Sequence, residues 1–374
     1  MADRGFIPRL ESLRGMAALM VACFHTATLT AIVQPTTMLG AYAAGGFDAL
    51  TLKIYMGLAN GFGAVVFFFV LSGFVLARSL DRSIGTDNWL VHFAIARVFR
   101  LFPPVIAAVA IFTLLFFLFG VDEYGGSFDP VNVLLNMSLL KTDLNRVMWS
   151  MQLEVLAASL IVAGVLVGRR FGLWPIFAFN TLLFGFSFFR FYIHAIVGEN
   201  GHMGPLYGFL TGVMLYFSGA RLAGYFAPKQ ALLILGIAVL VFCTCGALTV
   251  TGWTILLEVL SAGAVITCVV WHAELPVFSI LDAPVARFYG RISYSFYLLN
   301  PLALWVTGQF TEPFVWAHAS GVPLFIVVIA AAIFSIVITT PLAYLCREYI
   351  ELPSIRLGRA ITARRPSQAI QAVE

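Results

Sequence analysis

The sequence predicts an all-α, polytopic membrane protein: about ten transmembrane helices in one bundle, with both termini in the cytoplasm. Three observations predict this. First, 61% of the 374 residues are hydrophobic and 11% are charged, where ordinary globular domains carry about 25% charged residues. Second, the apolar residues gather into stretches of about 20, the length that crosses a bilayer as a helix. Third, the basic residues collect on alternate connections between those stretches.

A soluble core of this size could not hide so much apolar surface, so a lipid bilayer is the expected partner for the rest. No charge run, linker or low-complexity tract leaves room for an appended soluble domain. Residues 1–350 are therefore read as one transmembrane domain and 351–374 as a cytoplasmic tail. The first apolar stretch, 11–33, carries Glu11 and Arg14 and no small-residue cleavage site, so it reads as a retained helix and not a signal peptide. Further spans follow at roughly 54–77, 92–119, 146–167, 172–193, 204–220, 231–250, 253–271, 291–310 and 322–345. Turn-rich pieces such as 120–130 and 311–323 separate them. The five cysteines all fall in apolar stretches, where they act as small hydrophobes. Cys243 and Cys245, two apart on a helix, point different ways and offer no metal site.

Orientation follows from the excess of Lys and Arg on cytoplasmic connections. With the N-terminus inside, 18 basic residues face the cytoplasm: Arg4, Arg9, Arg14, Arg78, Arg82, Arg97, Arg100, Arg169, Arg170, Arg221, Lys229, Arg287, Arg291, Arg347, Arg356, Arg359, Arg364 and Arg365. Only Lys53, Lys141, Arg146 and Arg190 remain outside. The net charge of +4 is thus a topology signal and gives no ground for binding nucleic acid.

Ionisable groups inside a bilayer are costly without partners, which makes each one a functional candidate. Arg14 lies near the inner interface and His25 eleven residues further in. That spacing is a rise of about 16 Å with only about 20° of rotation, so the two share one face. The alternative is a snorkelling arginine and a histidine satisfied by a backbone carbonyl. Glu154 lies eight residues below Arg146, or about 12 Å inward from the outer side, which brings it near the depth of His25. A carboxylate there could orient the imidazole or raise its basicity. The expectation is that the two converge, directly or through one water, beside a cavity near Arg14, Arg97 and Arg100. Ser150 stands one turn above Glu154; otherwise Glu154 is a structural hydrogen-bond partner. Glu258 is a second buried carboxylate with no polar companion within a turn. Arg97 and Arg100, one turn apart on a face, suit a phosphate-bearing ligand, because guanidinium binds two oxygens at once. Pro103 and Pro104 are expected to break or kink the helix just beyond them.

Six segments, in order, resemble the acyltransferase family 3, membrane acyltransferases of bacterial sugars. They are the Arg14…His25 pair, the "FFFVLSGFVLARSL" segment at 67–80 with Ser72, Gly73 and Phe74, and the Arg97, Arg100, Pro103 series. "MWSMQLEVL" around Glu154, "GRISYSFYLLNP" at 290–301 and "REYIELP" at 347–353 complete the set. The resemblance implies an acyl-CoA donor, most often acetyl-CoA, bound from the cytoplasm. It also implies a carbohydrate or lipid-linked glycan acceptor and a place in the inner membrane. It puts Arg14, Arg97, Arg100 and Ser72 near the donor and gives His25 the catalytic role, with Glu154 and Arg14 assisting. Asn300 stands where many members carry a histidine before the proline, so a second-histidine mechanism is not expected. No segment resembles the hydrolase-like extracytoplasmic domain of some members, which leaves acceptor presentation to the membrane domain or to a separate protein. A different class of function, a transporter or flippase with Arg14, His25, Glu154 and Glu258 along its path, fits the same buried charges.

Overall fold

The computed structural model describes residues 7–33, 46–120, 125–189 and 203–362, and among these the regular structure is helical with no strand. In chain order the helices are α1 (Pro8–Val33), α2 (Phe47–Leu58), α3 (Gly61–Ser83), α4 (Trp89–Phe119), α5 (Pro130–Met137), α6 (Trp149–Phe171) and α7 (Leu173–Phe186). They continue as α8 (Tyr207–Ala223), α9 (Pro228–Gly246), α10 (Gly252–Trp271), α11 (Pro284–Gln309), α12 (Thr311–Ala319), α13 (Leu324–Cys346) and α14 (Leu352–Thr362). A helix occupies each of the ten stretches named from the sequence. Six segments are long and apolar enough to cross a membrane by length and composition: Phe47–Ser83, Trp89–Phe119, Arg146–Phe171, Pro228–Gly246, Gly252–Trp271 and Leu324–Thr362. The chain is a multi-pass membrane protein. Arg4, Arg190, Arg364 and Arg365 of the charge count, and 363–374 of the expected tail, lie outside the described residues.

Two glycine crossings bring the site-bearing helices together. A Cβ on Gly15 would run into the backbone of Gly290, and one on Gly290 into the carbonyl of Glu11. Only the bare residues let α1 and α11 approach this closely, as small residues do in membrane bundles. Arg14 is thereby held at the α11 crossing. Likewise a Cβ on Gly73 would strike the Phe209 carbonyl, and one on Gly212 the Val70 carbonyl. With that face of α3 pressed on α8, the neighbouring Ser72 turns toward α6.

The second expected span is broken at Asn60, whose side chain repairs the break. Its Oδ1 accepts from the Gly63 N–H at 2.8 Å, and its Nδ2 donates to the Phe242 carbonyl at 2.8 Å and to Glu258 Oε1 at 3.1 Å. Polar groups opened at such a break have no water in hydrocarbon and must be satisfied within the protein. Glu258, without a companion on its own helix, thus receives one from another.

The prolines of α4 do not break it, since the helix runs from Trp89 to Phe119 with both inside. Pro103 removes the N–H that would serve the Phe99 carbonyl, and Ser354 Oγ of α14 donates to that carbonyl instead, at 2.8 Å. Tyr294 OH of α11 donates to the nearby Leu101 carbonyl at 2.8 Å. Helical structure continues past the expected boundary at 350. A π-turn over Arg347–Glu351 carries α13 directly into α14, and Gly358 seats α14 against Phe99. The packed domain therefore reaches Thr362, because a proline-orphaned carbonyl on α4 and a glycine on α14 match.

The connection before α6 is ordered by one carboxylate. Asp143 accepts from Asn132 Nδ2 at 2.9 Å and from Asn136 Nδ2 at 2.6 Å. Burial pushes the Asp143 carboxyl up, but the two amides, together with a backbone hydrogen bond and the charge of Lys141, hold it below its ordinary value. Asn145 Nδ2 then ties the connection to α11 through the Leu298 carbonyl at 3.0 Å.

Candidate functional site

Two cavities meet at Arg14 and Arg100, which line both. The larger, about 580 Å³, lies between the ends of α1, α3 and α4 and is lined by Glu11, Arg14, Arg78, Arg82 and Arg100 among others. The smaller, about 60 Å³, lies deeper and is lined by Ser72, Ser150, Glu154 and Tyr294 on its polar side and by Val65, Phe68, Phe69 and Met151 on its apolar side. Four guanidinium groups and one carboxylate around the larger cavity make it strongly cationic.

Glu154 sits beside the smaller cavity in an ion pair with Arg97, 2.6 Å from Nη2, with side chains only 9% and 14% exposed. Ser72 Oγ donates to the same carboxylate oxygen at 3.3 Å. Tyr297 closes the cavity with its hydroxyl fixed twice, donating to the Val147 carbonyl and accepting from Ser150 Oγ, both at 2.9 Å.

His25 lines neither cavity. Its Nδ1 lies 3.4 Å from Oδ1 of Asn300, a deeply buried residue one helical turn beyond Tyr297 on α11. The Asn300 amide nitrogen is directed at Ser335 Oγ and Thr339 Oγ1, each at 3.4 Å. Thr339 spends its own proton on the Ser335 carbonyl at 2.8 Å, so it accepts from the amide. The amide oxygen is thereby left for His25. An amide oxygen only accepts, so the imidazole donates from Nδ1 and keeps its lone pair on Nε2.

The structure thus sets Arg14, Ser72, Arg100 and Glu154 on the cavity walls, holds Arg97 to Glu154, and puts His25 against Asn300, one turn past Tyr297 of the smaller cavity. Where the sequence expects His25 and Glu154 to converge, the structure gives Glu154 to Arg97 and sets His25 Nδ1 against Asn300. Equal depth fixes neither helix adjacency nor face, and a buried guanidinium is a far stronger partner for a carboxylate than a neutral imidazole. The Arg97–Arg100 pair is divided as well: Arg97 is spent on Glu154, while Arg100 faces both cavities. Two residues were missed as site candidates. Asn300 was visible only as a departure from the family pattern. Glu351, inside the "REYIELP" segment, is buried, accepts from Ser295 Oγ at 2.8 Å and feels the charges of Arg100, Arg347 and Arg14.

The family model of the acyltransferase domain matches residues 7–346, and the chain belongs to this family, acyltransferase family 3. It is an acyltransferase embedded in a membrane. No curated protein and no solved structure matches it.

Proposed function

We propose that this protein transfers a short acyl group, such as acetyl, from acyl-CoA to a hydroxyl of a carbohydrate or lipid-linked glycan. It does so as a ten-span protein of the inner membrane with both termini in the cytoplasm. One observation carries the donor half: the 580 Å³ cavity whose lining holds four arginines against one glutamate. Coenzyme A is a polyphosphate at one end and a thioester at the other. Arg78 and Arg82 sit where the phosphates would enter, and Arg14 and Arg100 stand at the neck leading inward. From Arg82 to Ser72, ten residues of α3 rise about 15 Å, a run that the extended arm of the donor would follow. Ser72 and Glu154, clamped by Arg97, shape the inner end.

In this reading His25 is the general base. Its Nε2 takes the proton of the acceptor hydroxyl as the oxygen attacks the thioester carbonyl. A C–O bond forms, the C–S bond breaks, and the proton is delivered to the departing sulfur. Asn300, which His25 meets, stands one turn past Tyr297 of the smaller cavity, so in this reading the acceptor approaches from the opposite side to the donor.

The test uses sealed vesicles of known sidedness with labelled acetyl-CoA supplied on the cytoplasmic face. Wild-type protein should label membrane glycan. His25→Ala should abolish labelling while remaining inserted and abundant. Arg78→Ala with Arg82→Ala should raise the donor KM by about tenfold or more, as expected for losing charge-assisted phosphate contacts. Glycan movement without acyl transfer would overturn the proposal in favour of a transporter.

A further inference from the structure

We infer that the smaller cavity is the acyl pocket of the donor site, that it admits only a short acyl chain, and that Phe68 sets the limit. This rests on the larger cavity being the donor vestibule.

The argument begins with size. The cavity measures about 60 Å³, whereas a cavity of about 150 Å³ is what takes up benzene, a molecule of six carbons. Room remains for an acetyl or propionyl group and not for a six-carbon chain. Polarity points the same way. The neck shared with the vestibule carries Arg14 and Arg100, with Ser72 and Glu154 close by, while the far wall is built of Val65, Phe68, Phe69 and Met151. A thioester entering from the neck would draw its polar arm past the first group and set its short acyl end against the second.

The walls differ in how firmly they are held. Tyr297 is pinned by its two hydrogen bonds. Phe69 is fully enclosed, stacked 4.5 Å from Phe209 and set edge-on 6.0 Å from Trp149. Phe68 is only half-buried and meets Tyr297 edge-on at 6.3 Å. Its ring also packs on the cluster formed by Ala18 and Ala22 of α1 with Phe296 of α11. Ala22 stands one turn before His25, so Phe68 borders the acyl pocket on the side that faces the His25 turn of α1. Shortening this side chain extends the pocket along α1, the direction in which extra carbons would run.

The experiment measures binding of acetyl-, butyryl- and hexanoyl-CoA, with CoA itself as reference, to the purified full-length protein. Each misfitting methylene in a tight apolar pocket costs roughly 10-fold or more. Wild type should therefore bind hexanoyl-CoA at least about 10-fold more weakly than acetyl-CoA. Phe68→Ala should bring the two within about threefold, with Phe68→Leu falling between. Equal binding of all three donors by wild type, or an unchanged ratio in the folded Phe68 variants, would overturn the inference. If Phe68→Ala does not fold, Phe68→Leu and Val65→Ala, on the same wall, carry the test. Failure of CoA itself to bind would instead remove the donor reading on which the inference stands.

Discussion

Replacing Glu154 by alanine strands a cation. Arg97 Nη2 lies 2.6 Å from Glu154 Oε1, both side chains are nearly enclosed, and Arg97 Nε already lacks a hydrogen-bond partner. Breaking such a pair from one side costs about 3–5 kcal/mol, because the remaining charge stays buried. The opposite truncation, Arg97→Leu, should cost less, about 1–3 kcal/mol. Glu154 keeps the Ser72 hydroxyl and the attraction of Arg14 and Arg100. The double variant Glu154→Leu with Arg97→Leu removes both charges and should recover most of the loss, giving a coupling of about 2 kcal/mol or more. The measurement is thermal unfolding of the four detergent-solubilised proteins, paired with acyl transfer by each. Glu154→Gln, which keeps a hydrogen-bond acceptor, should fall between wild type and Glu154→Ala in stability. If Glu154→Ala shifts stability by less than about 1 kcal/mol, the pair is solvated and its enclosure has been misjudged. If the double variant is stable and also fully active, Glu154 has no part in the site.

Three further outcomes are expected. Asn300→Leu should lower kcat without moving the donor KM, since it takes away the oxygen that accepts from His25 Nδ1, whereas Asn300→Asp, which keeps an acceptor oxygen there, should retain more of the rate. Gly73→Ala should destabilise by about 1–3 kcal/mol through the clash with α8, measured as a lowered unfolding midpoint that Ser72→Ala does not share. Asp143→Asn should loosen the connection before α6, read by limited proteolysis. The Asp143 carboxyl is held below its ordinary value, so its contribution is complete above that ordinary value and is lost as pH falls through the lowered one; wild type and variant should converge in acid.

The helices were legible in the sequence because hydrocarbon imposes a length and a composition that few other environments demand. The short helices α5, α12 and α14 were not, since eight to eleven residues leave no such imprint. Arg14 and Glu154 could be picked out by cost, as charged groups at membrane depth, Arg97 and Arg100 by their spacing, and Ser72 by the family resemblance. Their pairing could not, because depth along a helix is read from spacing while adjacency between helices is set by crossings such as Gly15–Gly290 and Gly73–Gly212. Asn300 escaped for a related reason. A neutral amide carries no cost signal, and its meaning appears only when His25 is seen against it. The packing of α14 was not legible because arginines near a C-terminus look like a solvated tail, while the carbonyl it serves, that of Phe99, lies 255 residues earlier.

The latch at Asn60 has a consequence for how the protein is made. Its two acceptors across the bundle, Phe242 and Glu258, lie 182 and 198 residues downstream. At a synthesis rate of about 5–20 residues per second, the second span waits roughly 9 to 40 s for the partners that close its break. Arg97 likewise emerges 57 residues ahead of Glu154, a wait of about 3 to 11 s. During those intervals an amide and a guanidinium must be sheltered at the insertion machinery or held near the headgroups. Release of the early spans into lipid is then expected to follow the arrival of the later ones, and in nascent chains stopped before residue 242 a cysteine put in place of Asn60 should react with water-borne thiol reagents that the finished protein excludes.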